Sequence, residues 1–197
     1  MKKISAIILA AGPSSRMGFL KQTINIKGKS MLELVLNKVR KFPFYEIIIV
    51  LGYKYEEVMK ILKLEFEKVV INEEYEKGMS SSLKKGVLNI FKDSEAFAVF
   101  LADMPLIKEE SIEKVISEFN ERSCLIVAPI FNKVIGHPVI FHRSLIPEII
   151  NLEGDIGAKK VIEKYRDKAC FIEVDDEGVL IDIDTPKDLE EVLKKLN

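Results

Sequence analysis

The stretch over residues 4–21, ISAIILAAGPSSRMGFLK, constrains this chain more than any other. Ile4, Ala6, Ile7, Ile8 and Leu9 form a near-continuous apolar run. That pattern predicts a strand buried on both faces rather than one with a solvent face. The run breaks at Ala10-Ala11-Gly12-Pro13-Ser14-Ser15, small residues and turn formers that neither a helix interior nor a strand favours. Arg16 and Lys21 follow within one loop of the strand's carboxyl end, where open α/β sheets bind ligands. Small residues let backbone N–H groups approach an anion, and two nearby cations suit a polyphosphate. The loop is therefore expected to bind a triphosphate.

Neither of the commoner phosphate loops fits. A Walker loop needs G-x-x-x-x-G-K-[ST], but Met17 stands five residues after Gly12. Gly28-Lys29-Ser30 reads GKS, yet its first glycine would have to be Thr23. The dinucleotide fingerprint G-x-G-x-x-G fails at Ser14. Residues 9–21 instead read L-A-A-G-x-S-x-R-M-G-x-x-K. This resembles the signature of nucleotidyltransferases, which move a nucleotide monophosphate from a triphosphate onto a phosphorylated acceptor.

Apolar strand-like runs alternate with helical periodicity along the rest of the chain. Ser30-Met31-Leu32-Glu33 is a capping box that opens a helix, and Pro43 closes it. Strands are expected at 46–51, 69–71, 97–101, 125–130 and 139–141, and a hairpin at 171–174 with 179–183 across Asp175-Asp176-Glu177-Gly178. Helices are expected near 55–64, 83–91, 109–119, 144–150 and 156–165, with a last one capped by Thr185 and opened by Pro186. This order predicts an α/β fold, a three-layer α/β/α domain around a mostly parallel, mixed, Rossmann-like sheet. With no linker, repeat or low-complexity tract in 197 residues, one domain over 1–197 is the economical reading.

Lys plus Arg number 30 against 31 Asp plus Glu, and no basic stripe appears, which argues against nucleic acid as a partner. Apolar runs are strand-length, so no membrane span is expected. Cys124 and Cys170 lie in apolar runs without a CxxC or Cys/His partner, so buried reduced thiols and a cytoplasmic setting are expected.

Three places carry candidate chemistry. Asp103 stands two residues past the apolar run 97–101, where an ionised carboxylate must be solvated, paired or bound to a cation. Asp182 and Asp184 alternate along the presumed last strand, and carboxylates ending separate strands at one edge suit Mg²⁺. Asp182 fits the strand pattern better as a ligand; Asp184 can instead belong to the cap at Thr185. Gly78-Met79-Ser80-Ser81-Ser82, after the polar interlude 72–82, can cap a helix or offer hydroxyls and N–H groups to a base or ribose. His137 lacks a Ser or Cys nucleophile partner, and can line an acceptor pocket or be structural. Asp155 can cap the next helix or contact the acceptor, and His142 reads as filler.

The motifs LAAGPSSRMGFLK, GMSSSL, LADMP, GHPVIF, EGDIGAKK and DIDTP occur in that order. Together they resemble the MobA-like nucleotidyltransferase family, of the nucleotide-diphospho-sugar transferase type, and within it the molybdenum cofactor cytidylyltransferases. The similarity runs from Ile4 to about Leu189. It implies that Gly12, Ser15, Arg16 and Lys21 hold a triphosphate, with Leu9, Ala10, Ala11, Gly78, Ser80 and Ser82 completing a nucleotide site. It implies a Mg²⁺ ion on Asp103 and Asp182, with Asp184 possible, and an acceptor near His137, Asp155 and Lys159. Lys159 stands where the GD-x-GA-R segment has arginine, so a bidentate contact is lost there. The implied reaction joins CTP to molybdopterin cofactor with release of pyrophosphate, for delivery to a molybdoenzyme apoprotein. Two other readings remain: CMP or UMP transfer to a sugar, polyol or choline phosphate, and a non-catalytic nucleotide sensor or chaperone.

Overall fold

The computed structural model describes residues 1–195. In chain order its elements are β1 (Ile4–Ala10), β2 (Asn25–Ile26), β3 (Lys29–Ser30), α1 (Met31–Val39), β4 (Glu46–Leu51), α2 (Tyr55–Ile61), β5 (Lys68–Ile71), α3 (Met79–Val87) and β6 (Ala96–Leu101). They continue as α4 (Glu109–Glu121), β7 (Ile126–Phe131), β8 (Val134–Ile135), β9 (Val139–His142), α5 (Ile146–Ile150), α6 (Lys159–Lys164), β10 (Ala169–Glu173) and α7 (Pro186–Lys195). No helix among the described residues is long and apolar enough to cross a membrane.

The main sheet runs β10-β7-β9-β6-β1-β4-β5, with β8 hairpinned onto β7. β1 lies between β6 and β4, parallel to both, and every residue from Ile4 to Ala10 is buried. The period of two along a strand explains why the run is apolar on both faces, and its one polar residue, Ser5, donates its hydroxyl to Glu46 at 2.7 Å. Ala6, Ile8 and Ala10 pack into the layer with α1, α2 and α4, and Ile7 and Leu9 into the layer with α3, α5 and α6. Each fully buried Ile or Leu contributes roughly 1.5–3 kcal/mol. β9 is antiparallel to both β6 and β7, so the sheet is mixed as expected.

This topology gathers the functional segments. The carboxyl ends of β1, β4 and β6 share one rim, and antiparallel β9 brings its start, and so His137, to that same rim. His142, at the other end of β9, pairs with Ala96 and lies at the opposite edge.

Four expectations need correction. Residues 179–183 form no strand. Val179 and Ile183 are fully buried, but their backbone partners are loop ends: His137 N–H donates to the Val179 carbonyl at 2.9 Å and Ile183 N–H to the Asp103 carbonyl at 2.9 Å. Apolar alternation was satisfied by packing without a ladder. The helix expected at 83–91 begins at Met79, so the three serines lie in its first turns rather than in a loop. The hairpin β7–β8 was missed, its turn made by Asn132 and Lys133 at φ of 48° and 66°. Finally, Cys124 and Cys170 are paired in a disulfide, with Cα atoms 5.9 Å apart, not free thiols. They are 46 residues apart, and only the parallel pairing of β10 with β7 brings them together.

Candidate functional site

The loop after β1 is anchored from beneath. Gln22 is 1% exposed, and its amide donates to the carbonyls of Ala10 at 2.9 Å and Gly12 at 3.1 Å. Ser14, at a φ of 55°, accepts the Lys21 N–H on its hydroxyl at 3.1 Å. Met17 packs with Ile26, Met31, Ile183 and Val192 in a small cluster under the loop. Gly52 is required by close approach: a Cβ there would stand 2.8 Å from Ala11 Cβ and from Tyr75 Cβ. The loop is thereby shaped by β4 as well as by its own residues.

Over this loop opens a cavity of about 560 Å³. Leu9, Ala10, Ala11, Gly12, Ser15, Arg16, Lys21, Gly78 and Ser82 line it, as do Asp103, Asp155, Asp182 and Asp184. Ser80 does not; its N–H donates to the Gly154 carbonyl at 3.2 Å, and it borders a neighbouring cleft. His137 and Lys159 also lie outside the lining. His137 is partly buried, its Nδ1 3.4 Å from the Val99 carbonyl, and burial pushes its imidazole pKa down against the opposing pull of that carbonyl and of Asp103. Lys159 is exposed at the start of α6. Asp155 caps a helix, but α3 rather than the next one, accepting the Met79 N–H at 2.9 Å. Gln22, Ser14, Tyr75, Lys77 and Met79 also line the cavity and were not foreseen. The polar interlude at 72–82 was the only signal for the last three.

The charged groups form one cluster. Lys21 Nζ donates to Asp103 Oδ2 at 2.5 Å and to Asp184 Oδ1 at 2.9 Å, and Arg16 donates to Asp184 Oδ2 at 2.6 Å. Burial works to lower the Lys21 pKa, but Asp103 and Asp184 outweigh it and hold it above the ordinary lysine value. Burial would likewise raise Asp184, yet Lys21 and Arg16 hold it below the usual carboxylate range. Asp182 is raised, first by burial and then by the like charges of Asp184 and Asp103. No cation pairs with Asp182 among the described residues. The strand argument that favoured Asp182 over Asp184 falls with the strand itself.

Among the described residues no three acidic, histidine or cysteine side chains converge into a ready-made metal cage. Asp103 Oδ1, however, is buried with no hydrogen-bond partner, and an ammonium stands between two carboxylates. This donor set fits a hard cation that binds through a few carboxylates and leaves further positions to phosphate oxygens.

Residues 6–169 match the family model described as the MobA-like NTP transferase domain. The chain is 29% identical to the probable molybdenum cofactor guanylyltransferase of Natranaerobius thermophilus, over 98% of this chain and 96% of that protein. It is 26% identical to the molybdenum cofactor cytidylyltransferase of Escherichia coli, over 95% of this chain and 94% of that protein. The crystal structure of the Mycobacterium sp. strain JC1 homolog of Mycobacterium tuberculosis Rv0371c superposes with a TM-score of 0.89 at 29% identity, over 98% of this chain and 96% of that one.

Proposed function

Since the chain belongs to the MobA-like NTP transferase domain family, we propose that it transfers CMP from CTP to the terminal phosphate of molybdopterin cofactor, releasing pyrophosphate. The observation that carries this reading is the convergence of Arg16 and Lys21 with Asp103 and Asp184 beside a loop of small residues, all facing one cavity. An oxygen of the acceptor phosphate attacks the α-phosphorus in line, and the bond to the pyrophosphate oxygen breaks. No protein nucleophile is needed. Repulsion between two anions is the main obstacle, so catalysis rests on positioning and charge stabilisation. Arg16 and Lys21 neutralise the β- and γ-phosphates, and backbone N–H groups of Gly12, Ser14 and Ser15 orient them. Asp103 and Asp184, with Asp182 beside them, would hold Mg²⁺, which supplies charge stabilisation at the phosphoryl oxygens. Ser82 and Gly78 line the cavity and would meet the nucleoside, and Asp155, by capping α3, positions that wall.

The two molybdenum cofactor relatives are named for different bases and are similarly distant, so the base is argued from the cavity. At the strand end this loop carries Ala11 before Gly12. Ala11 and Tyr75 line the cavity with the Ala11 methyl toward Gly52, and on our reading this added bulk favours a pyrimidine. One methyl is worth only ~1–3 kcal/mol, so the preference is expected to be partial. Pyrophosphate release with each of four triphosphates, against molybdopterin and against sugar, polyol and choline phosphates, tests both claims. CTP with molybdopterin should give the highest kcat/KM; a higher value for GTP would refute the base assignment.

A further inference from the structure

The cations meant for the phosphates are already in use. Lys21 Nζ stands between Asp103 and Asp184, and Arg16 occupies the second oxygen of Asp184. The Lys21 and Asp103 side chains are 13% and 17% exposed, so their pairing is not a loose surface contact. A triphosphate needs these two cations, and a divalent ion needs these carboxylates. A divalent ion on Asp103 and Asp184, or a triphosphate on Lys21 and Arg16, therefore meets groups that are already paired.

We propose that Lys21 and Arg16 serve as built-in counter-cations of the carboxylates and are displaced by exchange, so that divalent metal and triphosphate bind as a coupled pair. The metal alone must compete with Lys21 for Asp103 and Asp184. The triphosphate alone must compete with those carboxylates for Lys21 and Arg16. When both arrive, each releases the groups that the other requires. The exchange needs little more than side-chain rotation. The Lys21 backbone is held by Ser14 and the loop by Gln22, while the Arg16 side chain is 68% exposed. Linkage makes the coupling reciprocal, with factors of about 5–150 typical of such systems. This inference rests on the reading of the cavity as a metal and triphosphate site.

The exchange makes opposite predictions for two variants, each measured without turnover. In calorimetry with Mn²⁺ alone at pH 8, Lys21→Met should bind the ion at least about fivefold more tightly than wild type. In equilibrium dialysis with CTP and a chelator, Asp184→Asn should bind metal-free nucleotide at least about fivefold more tightly than wild type, because Arg16 is released and Lys21 keeps only Asp103. Should Lys21→Met fail to fold, Asp184→Asn decides alone. The exchange is overturned if a folded Lys21→Met binds Mn²⁺ no more tightly than wild type, or if Asp184→Asn gains nothing for metal-free CTP. The reaction itself falls on a different measurement, pyrophosphate release by the wild-type protein.

Discussion

Asp103 concentrates the argument at the scale of single residues. One of its oxygens holds Lys21 while the other is buried and unpartnered, an expensive arrangement for a group with no further role. Asp103→Asn keeps the shape and removes the charge. We expect kcat to fall by ~10²-fold or more, on the order of the 2.7–4 kcal/mol lost with one electrostatic stabiliser. Single-turnover kinetics at saturating CTP would measure it, and a variant within threefold of wild type would remove Asp103 from the chemistry. The Asp103→Asn/Asp184→Asn pair should be far less than additive, since both side chains meet at Lys21. Arg16, Lys21 and Asp103 could be picked from the sequence because each stands in a short loop next to a buried strand. Gln22 could not, since nothing in its neighbours signals that its amide turns back onto Ala10 and Gly12.

Among the elements, α1 and α3 hold the two sides of the cavity. α1 starts at a complete capping box: the Ser30 hydroxyl accepts the Glu33 N–H, and Glu33 accepts the Ser30 N–H. Its Lys38 ammonium donates to the Pro105 and Ile107 carbonyls at 2.5 Å and 2.7 Å and so straps down the loop that follows Asp103. Burial would raise the Glu33 pKa, but the hydrogen bonds from Ser30 outweigh it and hold the carboxyl below its ordinary value. A lowered folded-state pKa means the stabilisation is fully present above the unfolded value of ~4.3 and is lost as pH falls through the folded value. Glu33→Gln keeps the acceptor and removes the charge, so it should cost ~0.3–1 kcal/mol at pH 7, and the gap should narrow towards pH 3. Urea midpoints at the two pH values check this; a gap of constant size would show that the carboxylate charge is irrelevant to the cap. The capping box was plain in the sequence because it is local. The cap on α3 was not, because Asp155 lies 76 residues from Met79.

For the whole molecule, the disulfide is the feature that most changes the expected behaviour. It joins the loop before β7 to β10 and encloses β7, β8, β9, α5 and α6, together with the Gly154–Asp155 cap on α3. Closing a 46-residue separation stabilises by up to about 4 kcal/mol in the chain-entropy account, acting on the unfolded state. Thiol titration in denaturant without reductant should detect no free thiol, and reduction should lower the urea midpoint; two reactive thiols would sink this expectation. By itself the sequence determined the central buried strand, the loop chemistry at its end, the capped α1 and the layered α/β class. Those features depend on residues within a few positions of one another, where hydrophobic period and turn chemistry act directly. Only the tertiary structure decided that residues 179–183 pack without a ladder, that Cys124 meets Cys170, and that Asp184 shares Lys21 with Asp103. Each depends on groups more than forty residues apart, whose meeting is set by strand order and by which way β9 and β10 run. No local pattern carries that information, because it exists only once the sheet has closed around β1.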